Sequence, residues 1–307
     1  MKKFLITFTL FSLGLLGLAF LEDAIITRDL KQSNISTLIG WNDIFSGKLE
    51  KDVVIMGSSR ASVQYNPQIL DSALNCRSYN LGIAGNPINW EILKYDTYRR
   101  YNSKPKAIIQ NIDCFDMYYT EASYEKRQFL PYFSEKEFIA NVSEYQQDFG
   151  ILDKYVPFYR YIGSVYRLYY DRFTEKETLT NGYHWLDRKW DGRELEKQKK
   201  IDYGQDDKSL SLFDQYLSKA RSEGIRVIFV YAPIYIELTK KIKNLEGMYE
   251  MYDSIATKHH IPILDYNFSP ISQDTAYFFN AMHLNKKGSE LFSKQLAHDL
   301  DSLGFLK

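Results

Sequence analysis

The chain has 307 residues, 45% of them hydrophobic and 25% charged, which excludes disordered and fibrous classes. Lys+Arg and Asp+Glu each total 39, so the formal net charge is +0 and the basic footprint of a nucleic-acid binder is missing. Two cysteines cannot make a disulfide scaffold or a four-thiolate zinc site, and no Walker loop, dinucleotide fingerprint or His-Glu-x-x-His occurs, so neither metal nor cofactor is expected.

Met1-Lys2-Lys3 is a short positive start, followed by an uncharged apolar run from Phe4 to Phe20 that Glu22 and Asp23 close. That is the layout of a signal peptide or an uncleaved signal anchor over residues 1–21. About 17 residues is near the lower limit for a helix that spans a bilayer. Gly17-Leu18-Ala19 is a passable cleavage site, so both readings stay open, with the anchor preferred. Lys2 and Lys3 would stay cytoplasmic. The rest of the chain would then face the extracytoplasmic side of the cell membrane, or be secreted or periplasmic after cleavage.

Residues 22–307 read as a single α/β domain. Asp52-Val53-Val54-Ile55-Met56-Gly57 is a β-branched run entering a Gly-Ser-Ser loop, the pattern of a buried strand. Asn66-Pro67 predicts the N-cap and first residue of a helix carrying Ile69, Leu70 and Leu74. Arg77 to Gly85 reads as a second strand ending in a Gly-rich turn, and Asn86-Pro87 opens another helix. Lys106 to Asp113 is a third strand. A stretch of about 90 residues, roughly 117–206, then fits no single crossover and is rich in Tyr, Phe, Trp, Arg and Lys. It reads as a mainly helical insert, a lid whose aromatic rings either form a wall for a sugar-like acceptor or simply hold it to the core. A helix over Ser209–Glu223 closes at Gly224, Arg226 to Pro233 is the fourth strand, and Ile261 to Asp265 the fifth. Asn285 is a plausible N-cap for a last helix carrying Leu291, Phe292 and Leu296. Strands alternating with helices imply a doubly wound, five-stranded parallel sheet.

In such a sheet, ligands bind beyond the carboxyl ends of the strands. Three polar segments fall there: Gly57-Ser58-Ser59-Arg60, Asn80-Leu-Gly82-Ile-Ala-Gly85, and Asn280-Ala-Met-His283 after the fifth strand. Together they offer what nucleophilic catalysis needs, namely a hydroxyl, a base for its proton and amides aimed at an oxyanion.

The order and spacing of these segments resemble the SGNH (GDSL-like) hydrolase superfamily of esterases and acyltransferases. The resemblance covers residues 52 to 300 and implies a flavodoxin-like strand order 2-1-3-4-5. It implies Ser59 as nucleophile, His283 as general base, and the amides of Ser59 and Gly85 as the oxyanion hole. The family's third motif is not recognisable; Asn111, Asp113 and Asp116 are the polar candidates, with Asn111 a candidate further oxyanion donor. Ser58 replaces the first motif's usual Asp, and Asn280 stands where the family has the Asp that orients the base. An Asn oxygen can hold a His N–H but cannot offset an imidazolium charge. Asp265 and Asp274 are alternative orienters. The same strand order keeps Cys76 and Cys114 out of disulfide reach.

An SGNH-like domain behind an N-terminal anchor is similar to extracytoplasmic proteins that work beside membrane-bound O-acyltransferases. The implied function is a cell-envelope polysaccharide O-acyltransferase or esterase acting through an acyl-serine. Its implied partners are a polysaccharide or other envelope acyl acceptor and a membrane-bound O-acyltransferase. The alternative is a catalytically degraded accessory protein that binds carbohydrate or that partner.

Overall fold

Strands covered by helices on both faces have to be apolar throughout, and the runs that lead into the three polar segments are. The computed structural model of the chain describes all residues except 115–116, 122, 146–148, 175–178, 198, 203 and 307. In chain order its first elements are α1 (Lys2–Lys31), α2 (Ser36–Phe45), β1 (Val53–Met56), α3 (Ser59–Gln64), α4 (Pro67–Leu74), β2 (Ser78–Asn80), α5 (Ile88–Tyr101) and β3 (Ala107–Asn111). There follow α6 (Lys136–Tyr145), α7 (Ile151–Tyr155), α8 (Val165–Thr174), α9 (Asp207–Ser222), β4 (Arg226–Tyr231), α10 (Ile236–Thr239), α11 (Leu245–His259), β5 (Ile263–Asp265) and α12 (Lys286–Ser302). The chain divides into two compact units: Met1–Phe45 with Glu121–Glu177, and Ser46–Thr120 with Thr178–Lys307. The aromatic-rich stretch at 117–206 is therefore shared between them.

The second unit holds a five-stranded parallel sheet in the order β2-β1-β3-β4-β5. Successive side chains of a strand face opposite ways, so each strand feeds two cores. Val53, Ile55, Ile109, Ile228 and Val230 share one core with Leu70, Phe292, Leu296 and Leu300 from α4 and α12. On the other face, Phe229 stacks on Phe213 of α9 at 5.6 Å and meets Tyr252 of α11 edge-on at 6.2 Å. Registers of Ile55 with Asn80 and of Met56 with Gln110 bring the ends of β1, β2 and β3 level. The loops after those three strands therefore emerge side by side.

The elements are shorter than the apolar runs that predict them. The fifth strand begins at Ile263 because Pro262 has no N–H to give the ladder, although its carbonyl still accepts from Phe229. Asn66 caps α4 as expected, its side chain accepting from Gln68 N at 3.0 Å. Asn86 does not cap α5; its amide turns back to Ala84 O, and the helix starts at Ile88 behind Pro87. Residues 178–206 supply two-residue strands, Leu179–Thr180 pairing with Tyr183–His184 and Ile201–Asp202 pairing with Ile242–Lys243. Cys76 and Cys114 are both free thiols.

In the first unit, the aromatic residues of α2 make the core. Trp41 packs against Phe129 and Phe138, and Phe45 stacks on Tyr132 at 4.5 Å. The buried polar handles are paired: Trp41 Nε1 donates to Gln128 Oε1 at 2.7 Å and Tyr132 OH to Asn42 Oδ1 at 2.6 Å. The carboxyl-terminal third of α1 joins this unit through Asp23–Arg160, Asp29–Arg172 and Lys31–Glu135 ion pairs. The amino-terminal part of α1 is long and apolar enough to cross a membrane, and none of that stretch is buried.

Candidate active site

Gly57 closes β1 with φ +140°, a backbone state that side chains avoid. A Cβ there would also come within 2.8 Å of the Cβ atoms of Ala61 and Asn111. Only glycine lets the chain turn this tightly into α3, which presents Ser59 at its first position. The main-chain bond from Ile83 N to Gly57 O, at 3.0 Å, ties the loop after β2 to the same turn.

Ser59 Oγ and His283 Nε2 are 2.8 Å apart, across 224 residues of sequence. His283 Nδ1 lies 3.1 Å from Asn280 Oδ1. The three residues expected as nucleophile, base and orienter are thus brought together, in hydrogen-bond order. Which ring nitrogen carries the proton follows from Asn280. Its Oδ1 also accepts from the backbone N–H groups of Met282 and His283, each at 2.9 Å, which fixes that atom as oxygen. An oxygen accepts only, so Nδ1 is the protonated nitrogen and Nε2 carries the lone pair. Ser59 O–H then donates to Nε2, the arrangement for removing its proton. Burial, followed by the Arg60 guanidinium, holds the His283 imidazole down to about 4, against a smaller opposite pull from Asp113. A value that low leaves the His283 ring neutral at pH 7.

Asp265 and Asp274 do not orient His283. Asp274 Oδ1 accepts from Ala276 N, and Asp265 Oδ1 accepts from Asn267 N. Asn280 holds Nδ1 instead.

Gly85 is exposed with φ +71°, and among the described residues no protein acceptor takes its N–H. Ser58, the N-cap of α3, makes no side-chain cap bond. Asn111 is fully buried beside Gly57. Its amide is engaged on both sides: Oδ1 accepts from Tyr65 OH at 2.8 Å and Nδ2 donates to Asp113 Oδ2 at 3.2 Å. Asp116 lies outside the described residues.

Three residues support the site: Arg60 and Gln64, given no role from sequence, and Asp113, there only a candidate for the third motif. Asp113 Oδ2 collects Ser58 Oγ at 3.4 Å, Asn111 Nδ2, and the buried Arg60 Nη1 at 3.5 Å. Arg60 Nη2 donates in turn to Ala232 O at the end of β4. Gln64, at the far end of α3, donates from Nε2 to Pro233 O at 3.1 Å and to Met282 O at 3.0 Å. It thereby joins the helix of Ser59 to the loop of His283. The signal for Gln64 was its place five residues after Ser59; nothing in the sequence showed that it would be buried.

No family model matches the chain, and no curated protein matches it. Among solved structures it is similar to an acetyl xylan esterase at 12% identity, covering 82% of this chain and 98% of that one with a TM-score of 0.39. A Bacteroides thetaiotaomicron GDSL-like lipase gives 13% identity over 82% and 90% of the two chains, with a TM-score of 0.35. A Bacteroides fragilis protein classed as an acylhydrolase gives 15%, 85%, 90% and 0.38 in the same terms. Likeness this distant says nothing of substrate or mechanism.

Proposed function

We propose that the chain is a serine-dependent acyl hydrolase or acyltransferase of the SGNH type, held at the cell membrane by α1 and acting on envelope polysaccharide. The observation that carries this reading is the ordered pair of contacts at His283: Nε2 to Ser59 Oγ at 2.8 Å and Nδ1 to Asn280 Oδ1 at 3.1 Å. Ser59 Oγ bonds to the acyl carbon while its proton passes to Nε2. The leaving alcohol takes that proton back as its bond to the acyl carbon breaks, leaving acyl-Ser59. A polymer hydroxyl or water then repeats the sequence in reverse. The amides of Ser59 and Gly85 receive the oxyanion in this scheme, with Asn111 supporting the turn from beneath. The acyl donor side would be served by a membrane-bound O-acyltransferase.

Asn280 favours a second reading, an accessory protein that binds carbohydrate or that partner without turnover, because an amide leaves the imidazolium unshielded. Labelling by a fluorophosphonate separates the two. Wild type and Ser58→Ala should label and Ser59→Ala should not. Silence of the wild type would establish the accessory reading.

A further inference from the structure

We infer that the outward surface of residues 151–173 in the first unit is a membrane-interface platform, seated in the headgroup layer of a lipid bilayer beside the exit of α1. This rests on α1 being a membrane anchor.

The sequence around α8 sorts its residues by face. Tyr166, Tyr170 and Phe173 follow i, i+4, i+7 spacing and form one stripe, while Leu168 and Asp171 point the opposite way and are buried. Tyr166 and Phe173 are both 79% exposed, and Tyr166 stacks on Tyr170 at 6.4 Å. The preceding segment adds Ile151, Tyr155 and Ile162, at 74%, 77% and 62% exposed. An amphipathic helix normally turns its aromatic face inward; here the aromatic face points out. So many large apolar side chains exposed within 23 residues of one unit need a covering.

What covers it follows from where it is attached. Within this unit, Arg160 pairs with Asp23 at 2.7 Å, Tyr161 OH meets Thr27 Oγ1 at 2.7 Å, and Arg172 pairs with Asp29. The apolar run of α1 ends at Phe20, three to nine residues earlier. At about 1.5 Å of rise per residue, those contacts sit about 5–14 Å beyond the hydrocarbon edge. A headgroup layer is about 5–8 Å deep on each side. The Arg160–Asp23 pair therefore sits at headgroup height, and the contacts at Thr27 and Asp29, about 10–14 Å out, sit on the water side of that layer, so the segment is tethered along its outer margin. Its composition suits that depth: tyrosine rings carry an apolar body with a polar tip, and Lys154 lies exposed among them to meet anionic headgroups, while Arg167 and Arg172 are paired with Asp171 and Asp29.

The test uses the full chain in phosphatidylcholine–phosphatidylglycerol vesicles, with Cys76→Ser and Cys114→Ala as background and single cysteines at Tyr166, Phe173 or Leu13 carrying an environment-sensitive fluorophore. A probe at Tyr166→Cys or Phe173→Cys should lose emission roughly twofold or more with a shallow spin-labelled lipid, as expected at headgroup depth. It should also be sheltered from an aqueous quencher. The Leu13→Cys probe reports on the anchor alone. If it responds to deep spin-labelled lipid while the Tyr166 and Phe173 probes stay as open to water as without vesicles, the platform is refuted and the anchor stands. If the Leu13 probe fails to respond, the anchor reading falls and the platform with it. Shelter seen in native membranes but not in pure lipid would assign the surface to a protein partner and overturn the lipid assignment.

Discussion

Asn280 shows how far one atom can replace a carboxylate. With Oδ1 pinned by two main-chain N–H groups, the amide gives His283 the correct tautomer, which is the larger part of what the usual Asp supplies. What it lacks is negative charge beside an imidazole that burial and Arg60 already hold down to about 4. A base that weak accepts the Ser59 proton reluctantly. Asn280→Asp should raise the His283 value and speed hydrolysis of a small activated ester by on the order of tenfold, about 1.4 kcal/mol of barrier. The same change should move the acid limb of the pH–rate profile upward from near pH 4, because the protonated form inactive as a base becomes easier to make. An unchanged rate and limb would mean that charge near Nδ1 is irrelevant and that Asn280 acts only as a positioning residue. The meeting of Ser59, His283 and Asn280 was legible in sequence because all three lie in loops of fixed motif spacing. The contacts of Arg60 and Gln64 were not, and Asp113 was legible only as a third-motif candidate, since burial against distant partners defines them: 53 residues separate Arg60 from Asp113 and 218 separate Gln64 from Met282.

At the scale of elements, the caps divide into those that hold a helix and those that also hold the site. Asn66 and Asn285 both occupy N-cap positions, with side-chain oxygens accepting from Gln68 N and Gly288 N at 3.0 Å. Asn285 does more: its Nδ2 donates to Ala276 O at 2.8 Å and Phe278 O at 3.2 Å, closing the loop that carries His283. Asn66→Ala should cost about 1 kcal/mol of stability, the usual worth of such a cap, and Asn285→Ala about 2–4 kcal/mol, because the Ala276 and Phe278 carbonyls also lose their donor. Only Asn285→Ala should also lower kcat on the activated ester, several-fold and with little change in KM, because the acyl site is intact but its base is loosened. Equal kinetics for the two variants would show that the loop is held without Asn285, by the Phe278–Leu284 bridge, the Gln64 bond to Met282 O and the loop's own main-chain bonds. Sequence periodicity located both helices and both caps. It misplaced the start of α5, because Asn86 and Pro87 mimic a cap signal while the Asn86 amide is spent on Ala84 O.

Across the whole molecule, the division into two units was the least legible feature, since Asp23, Asp29 and Lys31 find partners more than 100 residues later. Equally hidden was a buried carboxyl on α5. Glu91 reads as an ordinary acid in the first turn of a helix, yet it is fully buried, with Oε2 accepting from Gln110 Nε2 at 3.1 Å. Burial, helped by the nearby Asp113 charge, raises its carboxyl well above the usual range, with the Gln110 bond opposing. The folded state therefore holds a proton on Glu91 that the unfolded chain releases above about pH 4.3. Stability from this group is complete below that pH and is lost as pH rises toward the folded value. His283 acts with the opposite sign, since its depressed value costs stability as pH falls from about 6.5 toward 4. A neutral isostere at position 91 isolates the first effect. Glu91→Gln keeps the shape and an oxygen for Gln110, and it never has to be protonated. Its stability in detergent, measured by urea unfolding, should match the wild type near pH 4 and exceed it by a margin that grows between pH 5 and 8. A margin that stays flat across that range would mean Glu91 is ionised in the folded protein, its charge borne by neighbours on this face of the sheet.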